Sequence, residues 1–346
     1  MAGFGYAAKD AVIALELSDD YVWDCSVIHA EGKYHLFCSR WERSLGFGWN
    51  WLYHSEIVQC VADQPQGPYR FLRVVLPPRG GKFFDGRNTH NPCIRYYDGK
   101  YYLYYMGTTY DGDAPPLETQ TAETALPVWN RKRIGVAVAN SIYGDFVRRD
   151  TPLLPPRGKE FWDCTVTTNP TVAILPSGKT YMIYKSRRGK GAPLMLGSAA
   201  AEHPDGAFHR LSDTPIFSFD DPDIHVEDPF LWYDERKERF CLLVKDDSKN
   251  GAFGITGEWG SGFYAESSDC VRFEISPEKV YSRKVMWKDG HSSLQGNMER
   301  PWVLFDGDGK PAWLFCATGA GSNPYSFGGR TFITAQELIR TGRTEK

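Results

Sequence analysis

The 346-residue sequence contains no long hydrophobic run and no strong excess of either charge. No apolar stretch approaches the roughly 18 residues that a membrane-spanning helix needs. Lys and Arg together number 40 against 43 Asp and Glu, which gives a net charge of -3. This balance offers no electrostatic argument for binding to nucleic acid or to an anionic membrane, so we expect neither partner.

Paired cysteines and the common nucleotide or protease motifs are missing as well. The eight cysteines are scattered, with no CxxC or CxxxC spacing, and several such as Cys38 and Cys316 interrupt apolar strands. Buried free thiols are therefore expected rather than disulfides or a zinc site. No P-loop, GxGxxG, HExxH or GxSxG motif occurs. Residues 1–6 lack a basic-then-apolar pattern, which favours a cytoplasmic location unless a leader for periplasmic export or secretion was removed.

What the sequence does contain is an internal repeat of strand, turn and strand. Each unit opens on a distinctive residue, continues as an apolar strand, turns and returns as a second strand. Four of the five turns carry Gly beside Lys, as expected for hairpins that need a positive φ. Further strand-like runs at 57–62, 134–139 and 194–199 follow the first three units. Each unit therefore holds about four antiparallel strands.

Five such units predict an all-β, five-bladed β-propeller that forms one catalytic domain over residues 1–346. The last unit lacks its fourth strand, and residues 11–15 can supply it, so that pairing of the N- and C-terminal strands closes the ring. The polar segment 111–130 is then an insertion in the second unit. The alternative interpretation is a β-sandwich with coincidental hairpins.

The residues that open the units should converge, because the first strand of every blade lines the central channel. We call these residues the heads: Asp24, Asn91, Asn169, Asp228 and Arg300. The residues just before four of them are also polar: His90, Thr168, Glu227 and Glu299. Three of the five units thus bring carboxylates to the ring. Hydrolysis of a glycosidic bond uses two carboxyl groups, and a third group can tune the pKa of the acid.

With these heads, the chain resembles the five-bladed propeller glycoside hydrolases of families 43, 62 and 117. The resemblance implies that Asp24, between Trp23 and Cys25, is the general base of an inverting reaction. It also implies that Asp228, in the run from His225 to Pro229, orients the substrate or adjusts the pKa of the acid.

The general acid stays open between two patterns that the resemblance offers. Family 43 uses a Glu, which matches Glu227, and family 117 is thought to use a His with a Glu nearby, which matches His291 and Glu299. The chain departs from family 43 at Asn169, where an acidic residue is expected.

A second aromatic-aspartate pattern complicates this assignment. Phe84-Asp85 and Trp162-Asp163 resemble Trp23-Asp24, and both follow a Leu-Pro-Pro-Arg-Gly loop. A repeated loop of this kind indicates either scaffold or a second approach to the channel mouth. Asp163 is therefore the reserve candidate for a catalytic carboxylate or a substrate contact.

Sugar binding needs aromatic platforms and planar donors near the mouth. The candidates for substrate binding are Arg40, Trp41, His90, Asn91, Asp163, Asn169, Lys185, Arg187 and Arg300. The basic run 187–191 indicates either a solvated loop or a preference for an acidic sugar.

The sequence thus favours an inverting, exo-acting glycoside hydrolase of plant or algal oligo- or polysaccharides. It would need no cofactor or catalytic metal, although a structural cation in the central channel is compatible with the resemblance. The alternatives are a carbohydrate-binding propeller without catalysis, supported by the two Asn heads, and a retaining or phosphorolytic relative.

Overall fold

The computed structural model of the protein describes residues 3–249, 253–323, 327 and 329–341. The first strand, β1 (Tyr6–Leu15), belongs to the last blade. Blade 1 contains β2 (Asp20–Ala30), β3 (Lys33–Glu42), β4 (Glu56–Ala62) and β5 (Arg70–Leu76). Blade 2 contains β6 (Asn88–Tyr97), β7 (Lys100–Thr108), β8 (Arg133–Ala139) and β9 (Val147–Arg148). Blade 3 contains β10 (Thr168–Ile174), β11 (Thr180–Ser186), β12 (Met195–Ala201) and β13 (His209–Arg210).

Blade 4 contains β14 (Val226–Asp234), β15 (Arg239–Asp246), β16 (Gly262–Ser267) and β17 (Glu274–Tyr281). A two-stranded hairpin of β18 (Lys284–Met286) and β19 (Ser292–Leu294) precedes blade 5. Blade 5 contains β20 (Glu299–Phe305), β21 (Pro311–Gly319) and β22 (Thr331–Arg340), with β1 outermost. Helix α1 (Asn50–Tyr53) follows β3, helix α2 (Ala122–Trp129) follows β7, and short 3₁₀ turns cover Arg43–Leu45 and Leu117–Thr119. No helix in the described part of the chain is long and apolar enough to cross a membrane.

The five-bladed propeller and its ring closure are confirmed. Strand β1 pairs antiparallel with β22, with Tyr6 opposite Arg340 and Val12 opposite Ala335. The ends of the sequence therefore share one sheet, and the free edge that an open ring would leave is paired.

The strands are rich in aromatic residues because blades pack face to face. In β7, every residue after Lys100 is buried, and Tyr104 and Tyr105 are fully enclosed. Because β7, the second strand of its blade, is covered on both faces, it does not need to alternate polar and apolar residues, which explains this continuous apolar run. All eight cysteines are free; seven are buried and Cys164 is partly exposed, which confirms the expected free thiols.

All five heads adopt the left-handed backbone conformation, with φ between 50° and 60°. Each head also lies at a register shift in its innermost strand, as between Trp23 and Ser26 or between Glu227 and Phe230. Asn and Asp tolerate this conformation best, and a bulge redirects the side chain. The repeat seen in the sequence is therefore a repeated backbone geometry that turns each head toward the axis.

Arg95 of β6 links its own blade to the innermost strands of three other blades. Its Nε donates to the carbonyl of Val172 in β10 at 2.6 Å, and its Nη2 donates to that of Leu231 in β14 at 3.1 Å. Its guanidinium carbon lies 4.4 Å from a ring centroid of Trp302 in β20. One cation thus connects four innermost strands.

Candidate active site

Asp24 lies at the head of β2 with its carboxylate fully enclosed. Its Oδ2 accepts hydrogen bonds from Ser39 Oγ at 2.6 Å and from the Asn91 backbone N–H at 3.0 Å, and its Oδ1 accepts from Asn91 Nδ2 at 2.9 Å. Arg300 Nε lies 3.1 Å from Oδ1, and His90 Nε2 lies 3.2 Å from Oδ2. Burial alone would raise the pKa of Asp24, but these neighbours lower it below its usual value. Asp24 is therefore ionised, and donors occupy both of its oxygens.

His90 precedes the head of β6 and is a neutral donor to Asp24. Burial lowers the pKa of His90 to about 4, so the ring is uncharged near neutral pH. Because an ionised carboxylate only accepts hydrogen bonds, the network assigns the ring proton to Nε2, while Nδ1 lies 2.9 Å from Ser55 Oγ. The Trp51 ring lies 5.3 Å from the imidazole, centroid to centroid.

Asp228 connects the other half of the ring. Its Oδ1 accepts from Asn169 Nδ2 at 2.7 Å, and its Oδ2 accepts from the Arg300 backbone N–H at 3.3 Å. Arg300 Nη1 also lies 3.4 Å from Oδ1 of Asp228. Arg300 therefore bridges both aspartate heads, and the five heads form one chain of contacts in the order Asn91, Asp24, Arg300, Asp228, Asn169.

Two glutamates stand beside the heads and share one lysine. Lys245 Nζ lies 3.2 Å from Glu227 Oε1 and 2.6 Å from Glu299 Oε1. Lys185 Nζ binds the other oxygen of Glu227 at 2.5 Å. One oxygen each of Glu227, Asp228 and Glu299 lie within 4.8 Å of one another. The side chains of Glu227 and Glu299 keep 12% and 11% exposure, so both retain some access to solvent.

The two glutamates differ in protonation. Burial raises the pKa of Glu299 to about 7, and the charges of Asp228 and Glu227 act in the same direction against Lys245. Burial also opposes ionisation of Glu227, but Lys185 and Lys245 hold its pKa well below the usual value. An acid that can hold a proton near neutral pH thus adjoins a permanent carboxylate, which is the arrangement that acid-base chemistry at one site requires.

The same three carboxylates are close enough together to bind a metal ion. Their oxygens, however, already contact Lys185, Lys245 and Arg300, so an ion would have to displace these cations. The donor set fits a charge-compensated acid cluster better than a metal site. A structural cation deeper in the channel stays a prediction.

Sequence reasoning missed several residues that surround Glu299 and Glu227. Trp23 Nε1 donates to Glu299 Oε2 at 3.0 Å, and Asn297 Nδ2 donates to Oε1 at 2.5 Å. Lys245 could have been found from the strand register, because it ends an apolar strand directly opposite Glu227. For Trp23 and Asn297 the sequence carries no comparable signal.

Sequence reasoning also missed Lys132. It lies in a loop at the end of the blades where the heads are, which we call the channel mouth. Lys132 precedes β8 and is buried, with Nζ 3.6 Å from a ring centroid of Trp129 and 5.5 Å from one of Trp51. Arg187, which the sequence did suggest, follows β11 and lies with Cζ 3.8 Å from a Trp129 centroid. Burial, with Lys185 and Arg187 nearby, lowers the pKa of Lys132 well below its usual value.

Three predicted residues make no contact with the cluster of Glu227, Asp228 and Glu299. His291 is exposed in the turn between β18 and β19, where it pairs with Asp289 and stacks on Trp287. These contacts are local to the hairpin, so the structure does not bring His291 to the ring as a general acid. Arg40 is held by Asp20 and Glu56 in an outer groove. Trp41 is buried behind His90 and offers no exposed face for a sugar.

Asp163, the reserve candidate, lies in a buried ion-pair network of its own blade. Its buried carboxylate is bound by Arg157, Tyr184 and Arg210. In the preceding blade, Asp85 is bound in the same way by a repeated set of partners: Arg79, Tyr105 and Arg148. The duplicated loops therefore fasten neighbouring blade elements with buried ion pairs. The remaining substrate-binding candidates besides His90 and Arg187 belong to the ring of heads or contact the glutamates beside it: Asn91, Asn169, Lys185 and Arg300.

No protein-family description matches the sequence, and no curated protein does. The fold, however, is that of solved glycoside hydrolases. Zg3597, a family 117 glycoside hydrolase of the marine bacterium Zobellia galactanivorans, superposes with a TM-score of 0.69 at 17% identity, covering 99% of this chain and 93% of that one. The catalytic domain of a family 62 α-L-arabinofuranosidase from Coprinopsis cinerea gives 0.64 at 10% identity, covering 99% of both chains.

A family 43 enzyme from Xanthomonas citri, in complex with xylose, gives a TM-score of 0.62 at 16% identity, covering 96% of this chain and 90% of that one. At these identities the similarity establishes the shared five-bladed fold. The resemblance to families 43, 62 and 117 is thus confirmed at the level of architecture.

Proposed function

We propose that this protein is a glycoside hydrolase that cleaves its substrate at the cluster of Glu227, Asp228 and Glu299. The observation that carries the proposal is the adjacency of an ionised Glu227 and a Glu299 with a pKa of about 7, both with some access to solvent. Glycosidases need such a pair, in which one carboxyl group donates a proton and the other stays charged. The solved structures of similar fold, which are themselves glycoside hydrolases, support it.

In this proposal Glu299 protonates the departing glycosidic oxygen. Lys245, Asn297 and Trp23 fix the orientation of its carboxyl group, which would otherwise rotate freely. Asp228 contributes through its charge, since it raises the pKa of Glu299. Arg300 and Asp24 are positioning residues that hold Asp228 and the heads in place.

Three finer points remain predictions from the resemblance: an inverting reaction with Asp24 as the base, exo action, and a plant or algal substrate. The full enclosure of Asp24 favours Glu227 as the second reacting carboxylate. One oxygen of Glu227 and one of Glu299 lie within 4.8 Å of each other, which is compatible with the roughly 5–5.5 Å between the carboxyl groups of retaining enzymes. NMR of the first anomer released distinguishes the two: retention supports the Glu227–Glu299 pair, and inversion supports Asp24.

The test of the proposal is turnover of a panel of aryl glycosides and plant and algal oligosaccharides by the wild-type protein. We expect cleavage of at least one member, with release of the terminal sugar if the enzyme is exo-acting. Calorimetry that shows oligosaccharide binding, with no cleavage across the panel, would instead support a non-catalytic carbohydrate-binding propeller. The Asn heads at positions 91 and 169 keep that second candidate open.

A further inference from the structure

Two basic side chains at the channel mouth have no carboxylate partner among the described residues. Lys132 and Arg187 approach the Trp129 indole, at 3.6 Å and 3.8 Å from ring centroids. Neither forms an ion pair within the part of the chain that the structure describes. Arg187 Nε is buried and donates no hydrogen bond there. The two cations therefore carry hydrogen-bond donors that the fold itself does not use.

The other basic side chains at the channel mouth do have carboxylate partners. Lys185 binds Glu227, Lys245 binds Glu227 and Glu299, and Arg300 binds the two aspartate heads. Burying a cation without a counter-ion is unfavourable, so the buried Lys132 in particular needs another form of compensation. The faces of Trp51 and Trp129 compensate in part, because a cation is attracted to the face of an indole ring.

The position of this pair ties it to the proposed site. Lys132 directly precedes β8 and Arg187 directly follows β11, at the ends of these strands that lie on the side of the heads. Lys185, two residues before Arg187, binds Glu227. Lys132 also lies within electrostatic range of Glu227 and Asp228.

We propose that Lys132 and Arg187 bind an anionic group of the substrate, the carboxylate of a uronic acid or a sulfate ester, beside Glu227. This inference rests on the proposed glycoside hydrolase function and defines its substrate class as acidic saccharides. The Arg187 fork suits the two oxygens of such a group. Lys132 adds a second donor from the other blade, and an anion beside it would favour its charged form against the effect of burial. Trp129 holds the two cations at a fixed separation before the ligand arrives.

Isothermal titration tests the inference without depending on turnover. The probes are the methyl glycosides of glucuronate and galacturonate, galactose 6-sulfate, and the neutral methyl glucoside and galactoside. We expect at least one acidic probe to bind tenfold or more tightly than its neutral counterpart. Arg187→Gln and Lys132→Met should each weaken that binding about 10- to 100-fold, because a hydrogen bond to a charged group is lost. Loss of binding in the methyl esters of the uronates would show that the carboxylate charge is bound, and tighter binding of galactose 6-sulfate than of either uronate would indicate a sulfate site.

Arg188→Gln is the matched control, since Arg188 is exposed and adjacent, and it should bind acidic probes as the wild type does. Thermal unfolding of each ligand-free variant checks that it folds. Equal affinity for acidic and neutral probes, or wild-type affinity in Arg187→Gln, overturns the inference. If acidic probes bind but aryl uronides are never cleaved, the result would uphold this binding site and refute hydrolysis. Cleavage of neutral glycosides alone would refute this site and uphold hydrolysis.

Discussion

Asp24 and Glu299 are both carboxylates of the central ring, and their surroundings differ in the properties that govern proton transfer. Asp24 is fully buried and has a lowered pKa. Glu299 is partly accessible and has a pKa of about 7. A proton donor must hold its proton at the working pH and reach the leaving oxygen, and of these two only Glu299 does both.

The pH dependence of activity should follow Glu299. Its folded-state pKa lies above the ordinary value, so the proton is present at acid and neutral pH and is lost as the pH rises through about 7. Glu227 has a lowered pKa and stays ionised over the same range. We therefore expect kcat/KM to fall about tenfold per pH unit above pH 7, with no matching loss between pH 5 and 7. An unchanged alkaline decline in Glu299→Gln would assign it to another group.

Replacement of Asp24 should show its anchoring role as a loss of stability. Asp24→Asn removes the charge that Arg300 contacts at 3.1 Å and disturbs the hydrogen bonds from Asn91. Breaking a buried ion pair costs about 3 to 5 kcal/mol, whereas Ser39→Ala, which removes one neutral donor, should cost about 1 kcal/mol. Free energies of urea unfolding measure both. An Asp24→Asn protein of wild-type stability without activity would restore Asp24 as the base.

Among the elements, each innermost strand contains a bulge at its head residue, whose backbone is in the left-handed conformation. At Asn169, with φ of 50°, two substitutions remove the same amide and its bond to Asp228. Asn169→Ala must still adopt the left-handed conformation with a Cβ, whereas Asn169→Gly adopts it without penalty. We expect the Ala variant to be about 1 kcal/mol less stable than the Gly variant by urea unfolding. The reverse order would mean that the bulge relaxes.

The heads were predictable because they follow a local rule. Each stands at a fixed place before a hairpin turn, so the register of the repeat placed Asn91 and Asp228 on one ring without any three-dimensional information. The ion-pair network of Asp163 could not be predicted in this way. It depends on Arg210, which lies 47 residues away on the outermost strand of the blade. The place of His291 could not be predicted, and Lys132 was missed, because the loops that carry them have no periodicity.

At the scale of the whole molecule, the closed ring is what holds five heads at one axis. Deleting residues 1–15 removes β1 and leaves β22 as an unpaired edge. We expect the shortened protein to unfold at a lower temperature and to self-associate, and we expect a peptide of residues 1–15 to restore part of the lost stability. Calorimetry with light scattering measures both effects. A monomeric truncated protein with the wild-type unfolding temperature would show that closure is dispensable.

The central claim is that the propeller places Glu299 as the proton donor of a glycosidase. Its most direct test is kcat/KM of Glu299→Gln on aryl glycosides of graded leaving-group acidity, with Glu274→Gln, an exposed glutamate on β17, as the control. We predict a loss of about 10²- to 10⁴-fold for poor leaving groups, because these need a proton. For good leaving groups, and for the control throughout, we predict nearly wild-type rates. An equal loss for every leaving group, or no loss at all, would contradict the account.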